Sequence, residues 1–357
     1  MRQKFITIQY LRGFAAMLVL ASHALLYPLV EHSLAFGRLG WLGVILFFVI
    51  SGFIMVAVTG EGKFSAPDFL RRRFIRVVPM YWAATLLAAA LALFAPQLFK
   101  TTVYDGAELV MSLLFIPFHN PVSGGIHPLY KLGWTLNYEV FFYVCFAILA
   151  FLGAGARVVW LTAAFTALAL AGLIFEPQPA IPQFYTSFMP LAFCAGAWLG
   201  LATLRGRVGA LPQQAIYAAV VIGLAALVEG FAWGHDLVED GFAFIGLVTF
   251  ASALVLLAVR FEPFLPRIAL LERIGDASYS IYLVHIYEVA ILASLAFKLL
   301  DPANLWADYF VAAVSIVGGT ALGIVLYQLV EKPLLGFFSG IFGGGKRAPK
   351  PIPAPAE

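Results

Sequence analysis

The sequence predicts an all-α, multi-pass membrane protein: a bundle of about ten transmembrane helices with both termini cytoplasmic. Three observations predict it. Apolar residues make up 62% of the 357 residues and charged residues only 11%, where a soluble domain has roughly half and a quarter. No water-soluble fold has enough interior to hide that much apolar surface. The apolar residues also come in runs close to the roughly 20 residues that cross a hydrocarbon core. Finally, placing the amino terminus inside puts seventeen of the 22 Lys and Arg on the cytoplasmic side and leaves only Arg38, Lys100, Lys131 and Lys298 on the other. That bias is what orients helical membrane proteins.

A lipid-exposed segment must satisfy its backbone internally, so each run reads as a helix. The runs are 8–27, 39–59, 74–95, 133–153, 158–175, 185–202, 213–231, 241–259, 276–299 and 307–330. Prolines punctuate the breaks: Pro28, Pro96, Pro177, Pro179, Pro212, Pro263, Pro266 and Pro302. The first run has a basic start, and Ser22-His23-Ala24 has the form of a small-x-small cleavage site. Arg12 interrupts it where a signal peptide needs an apolar core, so it reads as the first span. The loop 96–132 is too long for a tight connection. Its apolar stretch from Leu109 to Phe118 is too short to span and reads as interfacial or re-entrant. Residues 1–335 form the membrane domain, and 336–357 form a Gly/Pro/Lys-rich cytoplasmic tail that reads as disordered.

Other classes fall away. Net charge is +3, too little for a nucleic-acid partner, so the partner implied by composition is membrane lipid. Cys145 and Cys194 lie in apolar runs, which gives neither a disulfide framework nor metal-ligand spacing; both read as small buried hydrophobes.

Charged or ionisable groups inside a span cost roughly 2.5–3.5 kcal/mol each on insertion scales, so each needs a reason. The candidates are Arg12, His23, Glu139, Glu229, His285 and Glu288. On the first helix, Arg12 and His23 are separated by about three turns plus roughly 20°, so both project from nearly one face about 16 Å apart. An Arg snorkelling inward with a His capping the outer end fits as well as a functional pair. Glu139, in Trp134-Thr135-Leu136-Asn137-Tyr138-Glu139-Val140-Phe141-Phe142-Tyr143, falls near the depth of His23. A carboxylate there can orient an imidazole base, or the two can be a structural buried pair. Arg71, Arg72, Arg73 and Arg76 are the densest charge cluster. Topology anchoring explains them on charge alone; a phosphate-rich ligand at the cytoplasmic face is the functional reading. Ser278, Tyr282 and His285 share a helix face by i, i+4, i+7 spacing, as interhelical glue or as a polar channel lining. Glu229 and Glu288 read as interfacial.

Taken together these segments resemble the membrane-bound acyltransferase family three. Tyr10-Leu11-Arg12-Gly13-Phe14-Ala15-Ala16 with His23 is similar to the family's Arg-to-His signature, and the second helix, Gly40 to Phe53, is similar to its next motif. Phe69 to Trp82 with the Arg cluster, Trp134–Tyr143, Ser278–His285 and Glu331-Lys332-Pro333 are similar to four more. The chain departs at Gln9-Tyr10, where the family commonly has Asp or Gly before Leu-Arg. It departs also at Thr135 in place of Ser and at Val140 in place of a second polar residue. The first helix is particularly similar to bacterial exopolysaccharide acetylases.

The resemblance implies an O-acyltransferase of the bacterial inner membrane. It implies acyl-CoA, most commonly acetyl-CoA, as the donor substrate on the cytoplasmic side, with no bound cofactor. The acceptor it implies is a glycan or lipid-linked saccharide on the other side. Arg71, Arg72, Arg73 and Arg76 would hold the donor's phosphates, with Arg12 helping to position it. His23 would act as general base, or accept the acyl group transiently, with Glu139 orienting the ring. Trp134, Tyr143, Ser278, Tyr282 and His285 would line or support the passage. Either role needs neutral imidazole, so activity falls as the ring protonates. A transporter or flippase of a glycan precursor also uses intramembrane Arg, His and Glu; against it, the chain shows no paired, interrupted halves.

Overall fold

The computed structural model describes residues 5–26, 33–95, 102–233, 241–299 and 305–342. The helices in chain order are α1 (Ile6–Leu26), α2 (Ser33–Thr59), α3 (Ala66–Phe94), α4 (Gly106–Leu113) and α5 (Trp134–Ile148). They continue as α6 (Ala154–Phe175), α7 (Ala180–Tyr185), α8 (Pro190–Leu204), α9 (Arg207–Ala210), α10 (Gln213–Trp233) and α11 (Gly241–Phe261). Last come α12 (Ala269–Asp276), α13 (Ser278–Leu299), α14 (Leu305–Leu326), a π-helical turn (Tyr327–Glu331) and α15 (Lys332–Phe342). Among the described residues no strand forms; His119 and Ile126 make one isolated antiparallel bridge.

The chain is an all-α multi-pass membrane protein. Each predicted run meets a helix, and among the described residues eight helices are long and apolar enough to cross a membrane. One run is shorter than read. The run 133–153 yields α5, of 15 residues. It stops at Ile148 because Leu149 and Leu152 turn their carbonyls to the Arg157 guanidinium, at 3.4 and 2.7 Å. The run 213–231 yields α10, Gln213–Trp233, which covers it. At the other end of the chain, α15 carries helix through Phe342, inside the segment read as tail; residues 343–357 lie outside the described residues.

Long-range contacts sort the helix ends into two faces. On one, Glu262 receives the N–H groups of Ile6 and Thr7, both at 2.8 Å, and the Thr7 hydroxyl. This satisfies donors that a helix start leaves unpaired and sets a carboxylate at the positive end of α1. On the same face Arg260 donates to the Gly209 carbonyl, Arg205 pairs with Glu61, and Arg71 donates to the Phe342 carbonyl. On the opposite face α4 folds back onto α3: Tyr81 donates to the Ser112 carbonyl and Trp82 to that of Leu113. The short apolar stretch of the long loop is thus tied to the bundle.

Arg157 is fully buried without a carboxylate. Besides Leu149 and Leu152 it donates to the Gly62 carbonyl at 2.8 Å, and its guanidinium lies 4.5 Å from the Phe64 ring centroid and 5.1 Å from that of Phe146. Carbonyls and π faces supply the negative partner. It locks the α2–α3 and α5–α6 turns together from the first turn of α6, a role the sequence did not reveal.

α2 and α8 touch backbone to backbone. A Cβ on Gly52 would lie 1.9 Å from the Phe193 carbonyl oxygen, and one on Gly196 1.9 Å from that of Val49. Small residues are what bring helices this close in lipid. Gly196→Val should therefore force the helices apart, at about 3 kcal/mol or more, above the usual overpacking range because backbone rather than side chain is struck. Thermal unfolding in detergent should show the loss, with Gly209→Val, which meets only the tip of Arg260 at 3.9 Å, as the tolerated control.

In the 114–130 loop, buried His127 is bonded to Ser123 Oγ at 2.6 Å and to the Pro128 carbonyl at 3.0 Å. Burial, helped by the Lys131 charge, holds this imidazole below its ordinary value. Folding thus favours the neutral ring. The stability it brings is present above the ordinary imidazole range and is lost as pH falls through the lower folded value. Limited proteolysis within the loop should rise as pH is taken from about 7 to about 5, and the rise should flatten in His127→Asn.

Candidate active site

The strongest polar constellation lies between α1, α2, α3, α5 and α13. A pocket of about 150 Å³ is lined by Arg12, Ser51, Arg73, Arg76, Glu139, Tyr143, Tyr279 and Tyr282, with apolar walls that include Phe47 and Met55. Local sequence explains the placement. Ser65 caps α3 by accepting the Asp68 N–H at 3.3 Å, with proline in the first turn. The helix therefore starts in time to carry Arg73 and Arg76 inward on one face. Glu331 is delivered by the π-helical turn. Pro333 lacks an N–H and its ring crowds the carbonyl four residues back, so a widened turn just before it relieves both problems.

The four cluster arginines divide. Arg76 forms a 2.7 Å ion pair with Glu331, which is 1% exposed and also accepts from Ser280 at 2.6 Å. Arg73 lies 6.0 Å over the Tyr143 ring and 5.9 Å over that of Phe69, and its buried Nε has no hydrogen-bond partner. These two line the pocket. Arg71 pairs instead with Asp68 at 3.2 Å, and Arg72 is exposed; neither lines the pocket. Arg12 does, within electrostatic reach of Glu331, Glu139 and Arg76.

Glu139, read from the sequence as the orienting partner of His23, does not reach it. Its Oε1 accepts from Ser51 at 3.3 Å and from the Tyr143 hydroxyl, both within the arginine pocket. The partner of His23 is His285. Its Nε2 lies 3.2 Å from His23 Nδ1, with ring centroids 5.1 Å apart. His285 Nδ1 meets the Ile281 carbonyl at 3.0 Å, an acceptor, so that nitrogen carries the proton. In a neutral ring its Nε2 is then a lone pair. It faces His23 Nδ1, which also meets the Val19 carbonyl at 3.0 Å and must be the protonated nitrogen. The network leaves His23 Nε2 with an unprotonated lone pair. His285 is fully buried and His23 half-buried.

Tyr282 stands between the two centres. Its hydroxyl bonds Thr135 Oγ1 at 2.8 Å and the Leu132 carbonyl at 3.0 Å. Its ring is a wall of the pocket, 5.9 Å from Phe47 and 6.2 Å from His285. Of the remaining predicted residues, Tyr143 lines the pocket, whereas Trp134 packs on Trp41 and Tyr138 at 5.3 and 6.0 Å, outside it. Ser278 is buried with an unbonded hydroxyl. Glu288 is not interfacial in its contacts. Both its oxygens are buried, in a notch made by Gly318 and Gly319, where added Cβ atoms would lie 2.8 and 3.1 Å away. The Glu229 side chain lies outside the described residues. Sequence reading missed Ser51, Tyr279 and Glu331 as site residues. The signals for Glu331 were its place in the Glu331-Lys332-Pro333 segment, similar to a family motif, and a carboxylate two residues before a proline at the end of an apolar run.

A basic pocket in a helical membrane bundle, neighboured by a histidine pair, brings anion-binding and proton-accepting side chains together in one membrane protein. The chain matches the family model Acyl_transf_3, an acyltransferase domain, across residues 5–328 and belongs to that family. It is 34% identical over 301 residues to the exopolysaccharide production protein ExoZ of Rhizobium meliloti (strain 1021), covering 83% of this chain and 90% of that protein. It is 25% identical over 362 residues to acyltransferase MdmB of Streptomyces mycarofaciens, covering 91% and 90%. To protein 2 in the picA locus of Rhizobium radiobacter it is 31% identical over 158 residues, covering 39% and 78%. No solved structure matches the chain. The protein is an O-acyltransferase of the multi-pass membrane type.

Proposed function

We propose that the protein moves an acetyl group from cytoplasmic acetyl-CoA to a hydroxyl of a cell-surface or lipid-linked glycan, such as an exopolysaccharide, in the bacterial inner membrane. Both termini then face the cytoplasm. The observation that carries this reading is an arginine pocket and a histidine pair that meet at one aromatic ring, Tyr282, inside one bundle: the ring walls the pocket and neighbours His285. A relative named for exopolysaccharide production supports the acceptor class.

Nucleotide phosphates cannot enter hydrocarbon, so they stay at the helix ends with Arg73 and Arg76, and with Arg71 and Arg72 at the rim. Arg12 and Glu139 position the thioester arm, which passes Tyr282 toward His23. His23 Nε2 takes the proton of the acceptor hydroxyl while its oxygen attacks the thioester carbonyl. The carbon–sulfur bond breaks, and the thiolate leaves with the proton returned by the imidazolium. The products are an ester and a free thiol. Direct transfer is the simpler course, since neither Cys145 nor Cys194 is bonded to a base.

The test uses the full chain in proteoliposomes with isotopically labelled acetyl-CoA and a saccharide acceptor, read by mass spectrometry. The expected result is labelled ester on the acceptor. In cells, surface glycans with and without the gene should differ by the mass of one acyl group. Unchanged glycan mass with altered glycan export would replace this reading by a flippase.

A further inference from the structure

On the side of α1 away from the arginine pocket runs a groove of about 630 Å³. Its walls are apolar: Phe14 and Met17 of α1, Leu254 and Leu257 of α11, Leu271 and Ile274 of α12. Tyr10 closes one edge. Its hydroxyl donates to the Pro266 carbonyl at 3.1 Å and accepts the Ile268 N–H at 2.7 Å, pinning the α11–α12 link against α1. Arg267 lies within that pinned stretch and Arg273 beside Ile274. Both are exposed, and neither has a side-chain partner among the described residues.

The helical step of about 100° gathers Leu270, Leu271 and Ile274 of α12 into one apolar arc. Arg273 borders the arc next to Leu270, while Glu272 and Asp276 fall on the opposite side. Asp276 is engaged there by Gln9 at 2.6 Å. Phe264 and Leu270 are 77% and 61% exposed. An apolar arc with arginines at its border is the pattern of a segment lying in the membrane interface.

We infer that this groove is a binding site for one anionic phospholipid, its acyl chain along the apolar walls and its phosphate held by Arg267 and Arg273. Charge complementarity selects the occupant. The walls call for a hydrocarbon chain, and two arginines with no side-chain partner among the described residues, on the α11–α12 link and α12, the elements that border the groove, call for an anion on that chain. A zwitterionic headgroup brings its own cation and gains less. A packed helix from another protein would satisfy the walls and leave both arginines unanswered. The site uses no residue of the arginine pocket or the histidine pair, so it stands or falls apart from the acyl-transfer reading.

The test places a photoreactive phenylalanine analogue at position 14 of the full chain, in nanodiscs of equal phosphatidylglycerol and phosphatidylcholine. Crosslinked lipid is identified by mass. The expected result is phosphatidylglycerol adduct in roughly fivefold or greater excess, since each arginine near an anionic group contributes about that factor. R267Q/R273Q should return the ratio to that of the mixture. About 1 M salt should do the same to the unsubstituted chain, since screening then acts within about 3 Å. Adducts in the bulk ratio, adducts to the chain itself in place of lipid, or an excess unmoved by both salt and the double substitution would overturn the site.

Discussion

His23→Ala is expected to lower acyl transfer by roughly 10²–10⁴-fold, the ordinary contribution of a positioned general base, with the protein still folded. The ring is half-buried and, among the described residues, bonds Val19 and His285, so its removal leaves His285 Nε2 without a donor but opens no large cavity. The sharper expectation concerns the partner. His285→Ala removes one of the two acceptors of His23 Nδ1–H; the Val19 carbonyl still holds the tautomer, but the ring loses the packed partner that fixes its orientation, so Nε2 is no longer held where it can act as base. His285→Gln restores an acceptor oxygen at the end of a side chain of similar reach. Transfer should fall by about 10–100-fold in the alanine variant, in line with loss of a supporting partner, and recover in part with glutamine. The donor KM should stay level in both, because Tyr282 stands between this pair and the arginine pocket. Rates from proteoliposomes across donor concentrations would check this. Equal losses in both variants would mean that His285 serves packing alone.

Why the sequence led to Glu139 as the partner of His23 is instructive. Depth along a helix follows from residue count, and Glu139 and His23 were matched by that rule alone. Azimuth does not follow, because which face of α5 meets which face of α1 is set by how the helices pack. Close backbone approaches, such as Gly275 beside the Gln9 carbonyl and Gly43 beside that of Ala15, bring α12 and α2 against α1. They leave Glu139 facing Ser51 and the arginines. The helices themselves were legible because hydrocarbon allows a lipid-exposed backbone few alternatives. The arginines were legible as a cluster but not as a divided one. Only the register of α3 separates Arg73 and Arg76, which line the pocket, from Arg71 and Arg72, which do not. Arg157 and Glu331 were invisible in role, since each acts through carbonyls or charges far away in sequence.

Arg76→Leu is expected to cost about 3 kcal/mol of stability, the lower end of the range for breaking a buried ion pair, because the guanidinium side is 28% exposed whereas Glu331 is 1% exposed. The single change strands Glu331 with Ser280 as its remaining partner. Replacing both members, Arg76→Leu with Glu331→Leu, should restore most of that stability, since a buried pair exchanged for packed apolar residues is often neutral. Donor use separates the structural role of Arg76 from a binding one. If Arg76 serves only to neutralise Glu331, the double variant should regain activity along with its melting temperature. If Arg76 also holds the donor's phosphates, the double variant should melt like the parent yet need roughly tenfold or more donor, the loss of one charge-assisted hydrogen bond. The second outcome is the expected one. Arg73, with its unbonded Nε a turn away, already presents a donor group with nothing among the described residues to receive it, and an ion pair with Glu331 engages only one of the hydrogen-bonding edges of Arg76.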